Sequence, residues 1–410
     1  MTDHELWRVL FNKAEVQAMH HAADGDHYWT LSKGTKANLR RMGFPMKVIG
    51  IPDCGVAETF YSNMPWDGDD LPEGVTIEHV RGSSILKKCA ERLPFRIGRA
   101  VAEAGYDLSL SLRLWLRSRR HSSVGLVEGS RPVTVFSLFR SLLPTKGKVI
   151  LYGFYLYPST GARKHLLRRI IRSVNLCIVW SRRQGENYCR ELQLPPNQFA
   201  VIPYKSYDSK YARSAPVFRG DFVFSGGDSE RDYATLFRAV DGLDIPVIVS
   251  STLASDPRGL KVPENVLLIR AQDPYFARLM AAARIVVIPL VAGRLRAAGD
   301  GSFMNAMWHG VPVICADDIS APEYIDNWVD GVVVAPGDAA ALRTALVRLW
   351  QSPDKAREIG EAGRTKIESA YTHKHFRRRM IEIAFRISRL RDTVIDDTGQ
   401  LEKAILRGPN

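Results

Sequence analysis

Two stretches hold residues whose types and spacing suit ligand chemistry. Residues 297 to 317, AAGDGSFMNAMWHGVPVICAD, pack a turn signal, a helix start and a buried strand into one run. Ser302 is a favoured helix N-cap, and the glycines around it, Gly299 and Gly301, let the backbone come close to a ligand. Phe303, Met304, Ala306, Met307 and Trp308 then form one buried stripe; Gly310 stops the helix, and Val311 to Cys315 reads as a buried parallel strand. The second stretch, FSGGDSERDYATLFRAV (224 to 240), places Gly226 and Gly227 at a strand end, followed by a charged turn and a helix. Asp300 is the carboxyl of the first run and Arg231 the fork-shaped cation of the second. Loop-helix units of this kind are common, so their chemistry depends on the elements that position them.

Those elements alternate along the chain. HYWTLS (27 to 32), KVIGI (47 to 51), VTIEHV (75 to 80), SVGLVE (123 to 128), KVILYG (148 to 153), LCIVWS (176 to 181) and FAVIP (199 to 203) read as strands, with helical segments such as KANLRRMG, RKHLLRRIIRSV and SRRQGENYCREL between several of them. This predicts an α/β Rossmann-like doubly wound domain over residues 1–205, with a Pro, Ser and Tyr-rich linker at 206–220. A second series follows: DFVFSGG, RDYATLFRAV, IPVIVS, NVLLIR, PYFARLMAAA, RIVVIPL, the 297–317 run, GVVVAP and DAAALRTALVRLW. It predicts a second such domain over 221–375, facing the first across a cleft. A basic amphipathic helix over 376–391 is expected to return to the first domain, and 392–410 to form a frayed tail. In doubly wound sheets ligands bind outside the carboxyl ends of the strands, so the loops after those ends are the ones that carry chemistry.

The chain has 410 residues, 45% hydrophobic and 25% charged, an ordinary globular composition for two or three domains. Cys54, Cys89, Cys177, Cys189 and Cys315 show no CxxC and no pairing rhythm, which points to a reducing compartment and away from zinc. His20, His21, His309, His373 and His375 lack metal-ligand spacing, and no metal is expected. No run reaches the ~18 to 20 apolar residues of a spanning helix, and the N-terminal segment lacks a signal-peptide core. The net charge of +13 draws the chain toward anionic surfaces, phosphates or nucleic acid. Basic residues from Arg81 to Arg120 lie among the leucines and tryptophan of LSLSLRLWLRSRRH, a pattern that fits an anionic lipid surface or, alternatively, a core-packed helix with a basic solvated face. No nucleic-acid-binding signature is present, and nucleic acid is not an expected partner.

In the order and spacing of its motifs across roughly 221 to 390, the chain resembles the donor domain of GT-B glycosyltransferases, particularly the retaining family-four type. FSGGDSERDYATLFRAV matches that family's glycine strand end, basic residue and helix; LLIRAQDPYFARLM matches the loop over the nucleotide base; GDGSFMNAMWHGVPVI matches the helix and Gly-x-Pro-Val that follow. Residues 1 to 200 match only in βα rhythm. The resemblance implies a nucleoside diphosphate sugar as donor substrate, with no further cofactor. Its diphosphate would sit on the amides of Gly301 and Ser302, beside Gly299, at the positive end of a helix. Arg231 stands where the family has a phosphate-binding lysine and can fork onto two oxygens; its alternative is a surface arginine answering Glu230 and Asp232. Arg294 and Arg296 are further phosphate candidates or solvated loop charges. The backbone of Ala271 and Gln272 would hold the base, and Gly226 and Gly227 would line the phosphates.

Departures from the family pattern are equally specific. The family's two glutamates, with seven residues between them, fall on Ala297 and Asn305. Asn305 can still accept and donate a hydrogen bond to ribose, whereas Asp300 is the carboxyl near the first position, either for sugar hydroxyls or as a turn and capping residue. Gly226 replaces the family's arginine. Glu128, at a strand end of the first domain, is the candidate base, as are groups near Tyr152 and Gly153. The expected activity is transfer of a sugar from a nucleotide donor to a lipid-linked or polysaccharide acceptor at the cytoplasmic membrane face. Two alternatives are a non-catalytic GT-B partner subunit, suggested by the missing glutamates, and a nucleotide-sugar epimerase.

Overall fold

The computed structural model describes residues 29–31, 124–128, 147–155, 160–206 and 220–389, apart from 258 and 272–274, with scattered positions in 105–116 and 136–144. In chain order the strands are β1 (Trp29–Leu31), β2 (Val124–Glu128), β3 (Lys148–Tyr152), β4 (Leu176–Val179), β5 (Phe199–Val201), β6 (Val223–Gly226), β7 (Val247–Ser250), β8 (Val266–Ala271), β9 (Ile285–Pro289), β10 (Val313–Ala316) and β11 (Val332–Val334). The helices are α1 (Gly161–Arg172), α2 (Arg182–Leu192), α3 (Tyr233–Val240), α4 (Tyr275–Ala282), α5 (Asp300–Trp308), α6 (Ala321–Tyr324), α7 (Ala339–Gln351), α8 (Pro353–Ala370) and α9 (His373–Arg389). The predicted strands at 47–51 and 75–80, most of the 206–220 linker and the 392–410 tail lie outside the described residues.

Two compact units result. One groups the described residues of 57–203 with those from Lys374 onward, and holds a parallel sheet in the order β2-β3-β4-β5. The register pairs Glu128 with Tyr152 and Val179 with Val201. The four residues of β4 are all buried, as continuous apolar strands are when both faces are covered. Ser181 caps α2 by accepting from the Gln184 amide, and Gln193 ends that helix in the left-handed region at φ 51°. In α9, Phe376 lies 5.9 Å from the Trp180 ring.

The other unit, grouping 29–31 with 204–373, holds a seven-stranded sheet in the order β1-β8-β7-β6-β9-β10-β11. Its strands are parallel except for β1, which pairs antiparallel with β8 through Trp29 and Ala271. The segment read from sequence as a strand of the first sheet therefore forms the edge of the second; short apolar strands carry no label for the sheet they join. Omitting β1, the parallel strands run third-second-first-fourth-fifth-sixth, the doubly wound order whose switch point lies between β6 and β9.

Period-2 alternation divides this core. Phe222, Phe224, Ile248, Val286, Ile288, Val313 and Cys315 face one layer with Phe303, Met304 and Met307 of α5. Val223, Val247, Val249, Ile285, Val287 and Ile314 face the other, with Leu236 of α3 and Leu342 and Leu346 of α7. Helix α8 has no counterpart among the helices read from sequence. It packs on α5 where Gly360 abuts the Gly310 carbonyl so closely that a Cβ would clash.

Candidate donor site at the switch point

The loop after β6 and the loop after β9 meet at the switch point, and Arg231 and Leu290 form an isolated bridge between them. Gly226, the last residue of β6, is buried; a Cβ there would stand 2.5 Å from the Phe276 ring, so only glycine fits. Gly227 follows at φ 101°, with its amide donating to the Ser250 carbonyl at 3.0 Å. Its carbonyl accepts from the Tyr233 hydroxyl at 2.5 Å. Burial pushes that phenol up to about 12, so it remains a donor. Asp228 accepts from Ser251 Oγ and from the amide and hydroxyl of Thr252. Burial opposes its charge, yet these hydrogen bonds hold the carboxylate below its ordinary range.

Arg231 is half-buried and fixed at every nitrogen. Nε donates to the Gly226 carbonyl at 3.1 Å, Nη1 to the Ser229 carbonyl at 2.9 Å and Nη2 to Ser302 Oγ at 2.9 Å. It answers neither acidic neighbour. Asp232 caps α3 by accepting from the amide and hydroxyl of Thr235, while Glu230 pairs with Arg296 at 2.9 Å. The surface-arginine alternative is thus excluded, and the guanidinium tethers the end of β6 to the first turn of α5.

Ser302 is not the cap predicted for α5. Gly299 is, at φ 78°, where a Cβ would stand 3.0 Å from Ile288 and 3.5 Å from the Arg231 guanidinium. The left-handed backbone and the crowding both require glycine, and they start the helix three residues before the Ser preference suggested. The Ser302 amide consequently donates to the Gly299 carbonyl at 2.8 Å. Of the two amides read as anion donors, Ser302 N–H is thus used within the turn and Ser302 contributes its hydroxyl instead, whereas Gly301 N–H has no hydrogen bond to another described residue.

Asp300 does not form a turn on the surface. It is the first residue of α5, 6% exposed, and its Oδ1 has no hydrogen-bond partner. Burial pushes its carboxyl up to about 7, against the opposing Ser320 hydroxyl and with the help of the Asp317 charge. Asn305 is buried one turn farther along the same helix, and Ala297 is completely buried. His309 is held down to about 4 by burial and stays neutral.

The two loop arginines are committed inside the protein. Arg294 Nη2 binds the Asp317 carboxylate in a fully buried ion pair and lies 3.7 Å from Asp318. Arg296 Nη2 reaches Ser229 Oγ at 3.1 Å as well as Glu230. Asp317 also accepts from the amides of Ile319, Ser320 and Ala321, capping α6. The sequence reading passed over Asp317 and Tyr233; the Asp-Asp-x-Ser spacing at 317–320 is a capping signal that could have marked the first, and nothing local marks the second. Ala271 ends β8 with its amide on Ser250 Oγ at 3.0 Å. Gln272 lies outside the described residues, and Glu128 ends β2 in the four-stranded sheet. Among the described residues no group of His, Cys, Asp or Glu side chains is arranged to hold a metal.

The family model described as Glycosyl transferases group 1 matches residues 247–352. Over 145 residues the chain is 26% identical to D-rhamnosyltransferase WbpZ of Pseudomonas aeruginosa, covering 33% of this chain and 37% of that protein. It is 32% identical over 87 residues to the amylovoran biosynthesis glycosyltransferase AmsK of Erwinia amylovora, 21% of each chain. The matched regions thus span 37% of the first curated relative and 21% of the second. Among solved structures it is similar to Anabaena HepE in complex with UDP-glucose, with a TM-score of 0.55 and 14% identity over 68% of this chain and 82% of that one. At that identity the likeness speaks for the fold. With the βα order and the switch-point site, these matches give the chain the GT-B fold, and residues 247–352 of its seven-stranded unit match the model described as Glycosyl transferases group 1.

Proposed function

We propose that the chain is a glycosyltransferase that moves a sugar from a nucleoside diphosphate sugar to a lipid-linked or polysaccharide acceptor at the cytoplasmic membrane face. The observation that carries this reading is the Arg231 guanidinium held against Ser302 at the switch point, beside the Gly301 amide in the first turn of α5. A fixed cation, a hydroxyl and a helix N-terminus together suit a diphosphate, and they stabilise its departure without a divalent cation. Asn305 is assigned to the ribose and the Asp300 carboxyl to a sugar hydroxyl. Similarity to a rhamnosyltransferase and to an amylovoran biosynthesis glycosyltransferase supports a polysaccharide product.

The reaction we infer retains anomeric configuration. The acceptor oxygen bonds to the anomeric carbon as the bond from that carbon to the diphosphate oxygen breaks. The acceptor proton passes to the departing diphosphate on the same face, so no protein nucleophile is required.

A donor-hydrolysis screen across UDP and GDP sugars, with calorimetry of the free nucleotides, tests the reading. Slow hydrolysis of one donor, insensitive to EDTA and lost in Arg231→Ala, is the expected result. Nucleotide binding without hydrolysis or transfer would favour a non-catalytic partner subunit, the reading suggested by Ala297 and Asn305 at the family's glutamate positions. Binding that survives Arg231→Ala combined with Ser302→Asp would overturn the site itself.

A further inference from the structure

The four-stranded unit carries a surface whose polarity is inverted. Among the helical residues of 105–116, Ser111 is completely buried, while Leu108, Leu112 and Leu116, spaced four apart on one face, are exposed. Trp115 Nε1 donates to the Leu143 carbonyl at 2.9 Å, which brings this face beside the helix end that exposes Leu142 and Leu143. The five leucines are each between 46% and 58% exposed. A helix that turns serine inward and leucines outward places its apolar face against something other than water.

A basic face adjoins it. Helix α1 contains six basic residues and no acidic one. His165, Arg168, Arg169 and Arg172 lie at i, i+3, i+4 and i+7, on one side of the helix. Arg169 Nη2 donates to the Ser141 carbonyl at 3.4 Å, next to Leu142, so the leucine and arginine surfaces are contiguous. The ion pair of this helix, Lys164 with Glu191, involves none of the four.

We propose that these leucines and the His/Arg face of α1 form a single docking surface for an anionic lipid bilayer. The leucines enter the acyl boundary and the guanidinium groups meet the phosphates, which is the charge and apolar complementarity such a surface provides. The inference rests on the membrane-face part of the proposed function and is independent of the donor chemistry. It also extends the surface beyond the 81–120 segment, for which the sequence pattern offered a lipid contact as one of two readings, to Leu142, Leu143 and α1.

The test is flotation of the full chain with vesicles of phosphatidylcholine alone and with phosphatidylglycerol added, with circular dichroism and thermal melts confirming that each variant is folded. Wild type is expected to float with the anionic vesicles only. Leu112→Ser with Leu116→Ser and Leu143→Ser, and separately Arg168→Glu with Arg169→Glu and Arg172→Glu, should each lower partitioning at least about tenfold. If wild type floats and both variants float equally well, the membrane reading stands and this surface is not its site. If wild type does not float, both fall, while donor hydrolysis is unaffected. A dimer by light scattering that the leucine variant dissociates, with flotation unchanged, would assign the surface to a second copy and overturn the proposal.

Discussion

Arg231 and Ser302 stand 71 positions apart in sequence and 2.9 Å apart in space. The contact closes the switch point between β6 and β9, since one residue belongs to the loop after β6 and the other to the first turn of the helix after β9. Removing the cation should therefore act on ligand binding more than on folding. Arg231→Ala is expected to weaken nucleoside diphosphate binding by about 1.5–3 kcal/mol, roughly ten- to a hundredfold, as loss of a charged hydrogen-bonding group does. Arg231→Lys should recover part of it. Calorimetry with UDP and GDP checks this, and equal affinity in the alanine variant would remove Arg231 from the site.

Gly226 is a packing requirement as well as a strand end. In Gly226→Ala the new methyl meets the edge of the Phe276 ring, so the variant should lose about 1–3 kcal/mol of stability, the usual cost of overpacking. Adding Phe276→Leu should restore part of that loss. Denaturant melts of the single and double variants decide it; an unperturbed single variant would mean that Phe276 swings away freely.

Asp300 predicts a specific pH dependence. Its folded-state carboxyl titrates near 7, above its ordinary value, because burial disfavours the charge. The folded state then holds a proton that the unfolded chain has released, so this contribution is complete below the ordinary carboxyl range and is lost as pH rises towards and through about 7. Asp300→Asn should flatten the fall in stability between mildly acidic and mildly alkaline pH. Parallel curves for the variant and wild type from pH 5 to pH 8 would show that the carboxyl does not titrate there.

The Arg294 and Asp317 pair predicts a structural effect. Asp317→Ala strands a buried guanidinium and three amides at the start of α6, so it should cost about 3–5 kcal/mol, near the top of the range for a broken buried pair. Arg294→Met should cost less, because Asp317 keeps its cap bonds. A melting series in which the two variants are equal would show that capping contributes nothing.

Much of the architecture was legible along the chain. Ten described strands, from SVGLVE to GVVVAP, appear where apolar Val, Ile and Leu runs predicted them, since a strand covered on both faces is apolar throughout. The helix after DAAAL was marked by Asp338, which accepts from the Ala341 amide as an N-cap does. Helix α8 carries equally local signals in Pro353 and its long polar run, but those signals do not announce a helix packed through glycines.

Within the switch-point site, the glycines and the small hydroxyl residue at a helix start are local properties that mark Gly299, Gly301 and Ser302, while the resemblance to the family's motif order nominated Arg231 and gave all four a diphosphate to hold. Their roles were not local. Whether Ser302 caps its helix or receives Arg231 depends on Gly299 adopting a left-handed backbone against Ile288 and Leu290. Whether Arg231 answers Glu230 depends on Arg296 arriving first, from a loop 66 residues away. Asp300 reads either as a carboxyl for sugar hydroxyls or as a turn and capping residue until α5 packs it inside, and burial then changes its protonation. Secondary structure follows from short-range pattern and propensity; hydrogen-bond partners and desolvation are set by which loops the sheet order brings together, and that decision belongs to the tertiary structure.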